Sequence, residues 1–308
     1  MKRILIIIVL VVFSITTEKA FAQSGITPEG LEKLQTVEDS LGLLAYAIIN
    51  DSLEENRFGA VRAFIPMLVT ALKTPNSFHY PFDQIKSVSI QYAADSTFRV
   101  FTWQLYVDKD TYRYYGAIQM NQRELKLFPL IDRYDGMKNE LEQATLKHDE
   151  WYGAVYYNIK SVQVDNQNYH LLFGFDGYSF FKKRKVVDVL SFEDGQPLFG
   201  KAVFINADSN GVVLNTKSRL LFEYTAATSI SCNYDEALEL LIFDHLREID
   251  NEFDKGKAYI PDGTYEGYEL RDGQWYYKEK IFHQVLDEAP RPQPVLEGRK
   301  KTIFGDGK

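Results

Sequence analysis

Tyr265-Glu266-Gly267-Tyr268-Glu269-Leu270-Arg271-Asp272-Gly273-Gln274-Trp275-Tyr276-Tyr277-Lys278 reads as two short aromatic strands, 265–270 and 274–278, joined by the turn signal Asp272-Gly273. The same grammar extends back to Trp151. Apolar and aromatic runs alternate with Asp-Gly and Asn-Gly punctuation at roughly 8–12-residue intervals, the spacing of an antiparallel meander. Over this stretch strands are expected at 151–162, 169–175, 185–192, 201–206, 218–224, 228–234 and 237–245, before the terminal hairpin.

An earlier group of strands is expected at 87–93, 98–107, 111–120 and 124–130. In the second of these, Arg99, Phe101, Trp103, Leu105 and Val107 fall on one face and Phe98, Val100, Thr102 and Gln104 on the other. Apolar residues on both faces predict a strand covered on two sides, by helices and by a second sheet. Residues 135–147 predict a short helix or an ordered connection between the two β regions.

Ahead of the strands lies a helical pattern. Thr27-Pro28 has the form of a cap followed by a first-turn proline, and Leu31, Leu34, Val37, Leu41, Leu44 and Ile48 then recur at spacings of three and four. Asn50-Asp51 ends that helix. Ser52-Leu53-Glu54-Glu55 has the spacing of a capping box for a second helix carrying Phe58, Val61, Ile65, Leu68 and Leu72, with Pro66 expected to kink it. The fold class that follows is mainly β with an N-terminal helical hairpin (α+β), built as an antiparallel meander, sandwich or curved sheet. A partial propeller is the second choice, because no strict blade-length repeat recurs. The organisation expected is a signal peptide at 1–22, the helical hairpin at 23–76, a β domain at 77–288, either undivided or in two subregions joined near 135–150, and an extended tail at 289–308.

The signal-peptide reading rests on Lys2-Arg3, the apolar run from Ile4 to Phe13 and the small residues ending at Ala22. That run falls short of the roughly 20 apolar residues that span a bilayer, so no membrane span is expected after its removal. The mature chain is expected to be soluble and exported, periplasmic or extracellular. The formal net charge is −8, and the leader takes three basic and one acidic side chain with it, leaving a still more acidic body. Such a surface repels phosphate backbones, and Lys182-Lys183-Arg184-Lys185 and Arg299-Lys300-Lys301 read as a strand end and a tail, so nucleic acid is not an expected partner. Cys232 is the single cysteine, which excludes an intramolecular disulfide, and its apolar strand predicts a small core residue.

Phe98-Arg99-Val100-Phe101-Thr102-Trp103, Tyr112-Arg113-Tyr114-Tyr115-Gly116, Trp151-Tyr152-Gly153-Ala154-Val155-Tyr156-Tyr157 and Phe243-Asp244-His245-Leu246 together resemble a group of exported, β-rich bacterial proteins with no assigned activity. The resemblance implies export and a β-rich fold, and it brings no functional residue with it.

The chemistry-bearing motifs are mostly missing. The chain has no Gly-x-Ser-x-Gly elbow, and the terminal Gly305-Asp306-Gly307-Lys308 lacks the strand and helix of a phosphate loop, so no cofactor is expected. Its five histidines are scattered singly. Asn206, Asp208 and Asn210, followed by Gly211, alternate oxygen side chains as a calcium loop does, but position twelve is Lys217, and a polar hairpin loop explains the same residues. Carboxylates that converge in space would suit a glycosidase or esterase; Asp188, set among Val186, Val187, Val189 and Leu190, and Asp244 are the candidates. Trp103, Tyr114, Tyr115, Trp151 and Trp275 are the candidate stacking residues for a glycan or peptide, or else cross-strand packing. The sequence thus favours an exported, non-catalytic binding or assembly protein acting on an envelope protein or glycan. A secreted hydrolase is the alternative.

Overall fold

The computed structural model describes residues 25–281 except 109–110, 135–137, 165–166, 209 and 252–255. The expected signal peptide, the tail at 289–308 and the basic group Arg299-Lys300-Lys301 lie outside the described residues.

Helix α1 (Pro28–Asn50) starts as its sequence requires: the Thr27 hydroxyl accepts the Gly30 amide at 3.1 Å and Pro28 occupies the first turn. Leu34, Leu41, Ala45 and Ile48 form its buried stripe. Helix α2 (Glu54–Leu72) corrects one expectation. Leu53, not Ser52, is its N-cap, and the Asp51 carboxylate takes the Leu53 amide at 2.8 Å, so the capping box does not form. The helix continues through Pro66 to Leu72, with Phe64 and Leu68 buried on either side of the proline.

The strands build three sheets. The first is β1 (Ser89–Tyr92), β2 (Phe98–Asp108), β3 (Thr111–Met120) and β4 (Leu127–Ile131), paired antiparallel in chain order. After a short helix α3 (Lys138–Leu141) come β5 (Leu146–Lys147), β6 (Val155–Val164), β7 (Gln167–Asp176), β8 (Lys182–Glu193) and β9 (Gln196–Phe199). With β12 (Leu220–Thr225) they form the second sheet, ordered β5-β9-β8-β7-β6, where β12 pairs with the first half of β8. The third contains β10 (Phe204–Ala207), β11 (Val213–Lys217), β13 (Cys232–Asp235), β14 (Leu240–Asn251), β15 (Gly256–Arg271) and β16 (Gln274–Lys278), ordered β11-β10-β16-β15-β14-β13.

The layers are read from the two faces of the strands. Phe101, Trp103 and Leu105 of β2 pack under the helices, while Phe98 and Val100 of the same strand pack on Tyr156, Leu172, Val186 and Leu190 of the second sheet. Leu171, Phe173, Val187 and Val189 leave the second sheet on its opposite face and meet Phe204, Leu241, Phe243, Tyr268 and Trp275 of the third. The order is helices, first sheet, second sheet, third sheet. A sheet covered on both faces explains why β8 is apolar at consecutive positions rather than alternating ones.

The Asp272-Gly273 hairpin closes as its sequence specifies: both turn residues have positive φ, 49° and 77°, and Arg271 faces Gln274. The meander is broken where β5 pairs with β9, β12 with β8 and β10 with β16, and the last of these changes the strand direction as well. β10 runs parallel to β16, with Phe204 beside Trp275 and Ile205 beside Tyr276. None of the described helices is long and apolar enough to cross a membrane.

Candidate functional site

The tryptophans are packing residues. Trp103 lies under the helices, stacked on the half-buried Tyr115 with centroids 5.8 Å apart and edge-on to Phe64 at 5.2 Å. Trp151 and Trp275 are fully buried; the first donates to the Tyr156 hydroxyl at 2.9 Å, the second to the Tyr169 hydroxyl at 3.0 Å. All three indoles are withdrawn from solvent, so none supplies an exposed stacking plane.

Asp188 is also fully buried. Its carboxylate meets the Arg219 Nε at 2.9 Å and accepts the Tyr156 hydroxyl at 3.1 Å and the Val189 amide at 2.9 Å. Asp244 is half-buried and accepts the Ser231 amide at 2.5 Å, with no contact to Asp188. The residues of the calcium-like pattern make local bonds: Asn206 accepts the Tyr268 hydroxyl at 2.9 Å, and Asp208 takes the Asn210 and Val212 amides, each at 2.9 Å, closing a hairpin loop. No group of three or more His, Cys, Asp or Glu side chains among the described residues is placed to hold a metal ion. Cys232 is buried among apolar neighbours, and that burial pushes its thiol up to about 12, leaving it un-ionised at neutral pH.

The residues that do converge surround the loop between β7 and β8, Gly177-Tyr178-Ser179-Phe180-Phe181. Phe180 is 56% exposed, Phe181 48% and Tyr178 40%. Two phenylalanines set edge-on at 5.0 Å and each about half exposed are unusual for a solvated turn.

Beneath the tip every polar group is tied down. The Gly177 amide donates to the Tyr114 hydroxyl at 2.6 Å, and that hydroxyl donates to Asp176 at 2.9 Å. Asp176 also accepts the Tyr178 amide at 2.8 Å and a short bond from the Tyr152 hydroxyl. Burial first, and then the neighbouring Asp176 charge, raise both tyrosines far above their usual pKa, so they remain donors. Tyr178 takes a left-handed φ of 46°, a strained conformation for a tyrosine, and its ring lies 3.3 Å under the Arg184 guanidinium.

The basic run 182–184 is the clamp of this loop rather than a free patch. Lys183 donates to the Gly177 and Ser179 carbonyls at 2.9 and 2.6 Å. Arg184 and Lys182 both reach Glu223 on the adjacent strand β12, at 2.9 and 3.2 Å, and Arg184 also donates to the Tyr152 hydroxyl at 3.2 Å. Burial opposes ionisation of Glu223, but the two cations hold its carboxylate below the usual range. The Ala226 amide fixes the Phe181 carbonyl at 2.8 Å. The sequence carried a trace of this site in Tyr114 and in the basic run, but nothing in it ranked Phe180 and Phe181 above the chain's other aromatics.

One further pair lies beside the tip. Asp132 accepts the Tyr114 backbone amide at 2.9 Å, so it and Asp176 sit at the two ends of one tyrosine. Burial, with a smaller contribution from the Asp176 charge, pushes the Asp132 carboxyl up to about 6. Close beside it Gly153, at φ 89°, leaves no room for a side chain: a Cβ there would stand 2.8 Å from the Asp132 carboxylate.

No protein-family model, curated protein or solved structure matches this chain, so the site is read from its own geometry.

Proposed function

We propose that the protein is an exported, non-catalytic binding or assembly protein of the cell envelope, and that it engages a protein partner through the β7–β8 tip. The observation that carries this reading is an exposed aromatic tip on a rigid mount. Phe180 and Phe181 stand out of a loop whose amides, carbonyls and cations are already engaged by Tyr114, Asp176, Lys183, Arg184 and Glu223. Pre-ordering of this kind removes the cost of freezing the loop on contact, and burying what remains exposed of each phenylalanine is worth about 1 kcal/mol. An exposed pair of aromatic rings fits an apolar pocket on a protein. It offers no flat open plane for a sugar, and the clamped cations leave little free positive charge for an anionic membrane.

The Phe180→Ser, Phe181→Ser double variant tests this. Retention of a partner from an envelope extract is expected for the parent protein and lost in the variant, while stability shifts by no more than about 0.5 kcal/mol, as for other exposed positions. Equal retention by both, or by neither, overturns the assignment of the tip.

A second reading, a hydrolase using converging carboxylates, is favoured by Asp132 and Asp176 at the two ends of Tyr114, one poised to donate a proton near neutral pH. Turnover in a broad hydrolase screen that disappears in Asp132→Asn would establish it over the binding reading. The same variant carries a stability prediction. The carboxyl titrates at about 6 in the folded protein and at 3.8 as an ordinary aspartate, so between those values the folded state binds more protons than the unfolded chain. The contribution of Asp132 therefore declines as pH rises from about 4 to about 6. Urea unfolding from pH 4 to pH 7 is expected to show Asp132→Asn gaining on the parent protein across that window, and parallel profiles would contradict the buried, protonated carboxyl.

A further inference from the structure

One cavity shares no residue with the β7–β8 tip. About 270 Å³ in volume, it opens where the second sheet meets the third, between Val164 of β6, Lys201 and Val203 of the segment joining β9 to β10, and the hairpin turn Asp272-Gly273-Gln274. Its walls are bonded to one another. The Trp275 indole donates to the Tyr169 hydroxyl at 3.0 Å, that hydroxyl donates to the Gly273 carbonyl at 3.1 Å, and the Trp275 amide donates to the Val203 carbonyl at 2.7 Å. Gly273 has a φ of 77°, and a Cβ there would stand 3.2 Å from Val164. The cavity is therefore formed before any ligand arrives.

Two opposite charges line it. Lys201 lies over Tyr169, its Nζ 5.6 Å from the ring centre. The Asp272 carboxylate faces water and has no ion-pair or hydrogen-bond partner among the described residues, so the two charges are not paired with each other.

We infer that this cavity binds a small zwitterion, an amino acid or dipeptide with both termini free, whose carboxylate meets Lys201 and whose ammonium meets Asp272. Other ligand classes match the lining less well. A sugar needs an open aromatic plane, and Tyr169, the one aromatic side chain of the cavity, is only 2% exposed. A bare anion would face Asp272 and a molecule of net charge −8, and a bare cation would face Lys201. An apolar molecule would strip water from both charged groups and return a bond to neither. A zwitterion satisfies both through charge-assisted bonds and lays its apolar part against Val164. The volume suits a ligand of that size and excludes a folded partner.

Titration calorimetry of the full chain with leucine, glycyl-leucine and their N-acetylated and C-amidated forms, each raised to about 10 mM to reach weak binding, tests the inference. At least one free zwitterion is expected to bind, and blocking either terminus to weaken it by about tenfold or more. The blocked ligands test the parent protein without any substitution. Lys201→Met keeps the apolar stem over Tyr169 and should lose the preference for a free carboxylate. Asp272→Asn keeps the turn, because Asn-Gly suits the same positive-φ geometry, and should lose the preference for a free amine. Both variants should unfold at the parent's urea midpoint. Binding of neither zwitterion, blocked forms that bind as tightly as free ones, or variants that keep both preferences overturn the assignment.

Discussion

Arg99→Ala is expected to destabilise the protein by about 3–5 kcal/mol, because truncating a large buried side chain opens a cavity and leaves several buried neutral acceptors unsatisfied. Arg99 is fully buried, and no carboxylate among the described residues lies within ion-pair distance of it. Its donors go instead to neutral acceptors: the Ser77 and Tyr80 carbonyls at 2.9 and 2.6 Å, the Gln119 amide oxygen at 2.8 Å and the Tyr92 hydroxyl at 2.7 Å. The rings of Phe78, Phe82, Tyr92 and Phe101 enclose the guanidinium, with Phe101 the nearest at 4.7 Å. Burial pulls its pKa down to about 10, which still leaves it charged at neutral pH.

Alanine would open a cavity and strand four acceptors, two of them carbonyls of the connection from α2 to β1 and the others on β1 and β3. Arg99→Met should lose less, because the apolar stem is kept, yet it cannot satisfy those acceptors. Equilibrium urea unfolding of both variants measures this. A loss below about 1 kcal/mol for alanine would mean that water enters to replace the guanidinium.

Asp188→Ala is expected to cost a similar 3–5 kcal/mol, because it abandons the buried Arg219 guanidinium. Arg219 keeps the Leu141 carbonyl at 2.6 Å, but its Nη2 has no hydrogen-bond partner even in the intact protein. Removing that carboxylate leaves the fully buried Arg219 guanidinium without its counter-charge. Asp188→Leu combined with Arg219→Met should recover most of the loss, since a buried pair exchanged for apolar side chains of similar volume is often neutral or better. The double-mutant cycle, measured by thermal and urea unfolding, gives the coupling energy. A coupling near zero would deny the pair its structural role. Any activity lost in Asp188→Asn must be judged against this stability cost before the carboxylate is assigned to chemistry.

The candidate site was only partly legible. Thr27 as a cap and Asp272-Gly273 as a turn depend on residues next to each other in the chain, and both formed as written. The capping box failed because Asp51, one residue earlier, offered the competing acceptor. Asp188 stood out as a charge inside an apolar run, but its partner Arg219 lies on a segment that approaches only when β12 pairs with β8. Phe180 and Phe181 resembled every other aromatic pair in the chain. Their exposure is set by where the β7–β8 loop falls in the fold and not by its composition.

What the sequence determined by itself was local: the helical hairpin, the run of strands, the turns between them and the alternation that divides β2 into two faces. Period and punctuation act over a few residues, within reach of a single hydrogen bond or turn. The tertiary structure decided what covers each face. Stacking the sheets buried Trp103, Trp151 and Trp275, enclosed Arg99 and joined Asp188 to Arg219, and it left the Phe180-Phe181 tip in water. Burial belongs to the layer that arrives on top of a strand, and that layer comes from distant parts of the chain, as the parallel pairing of β10 with β16 shows.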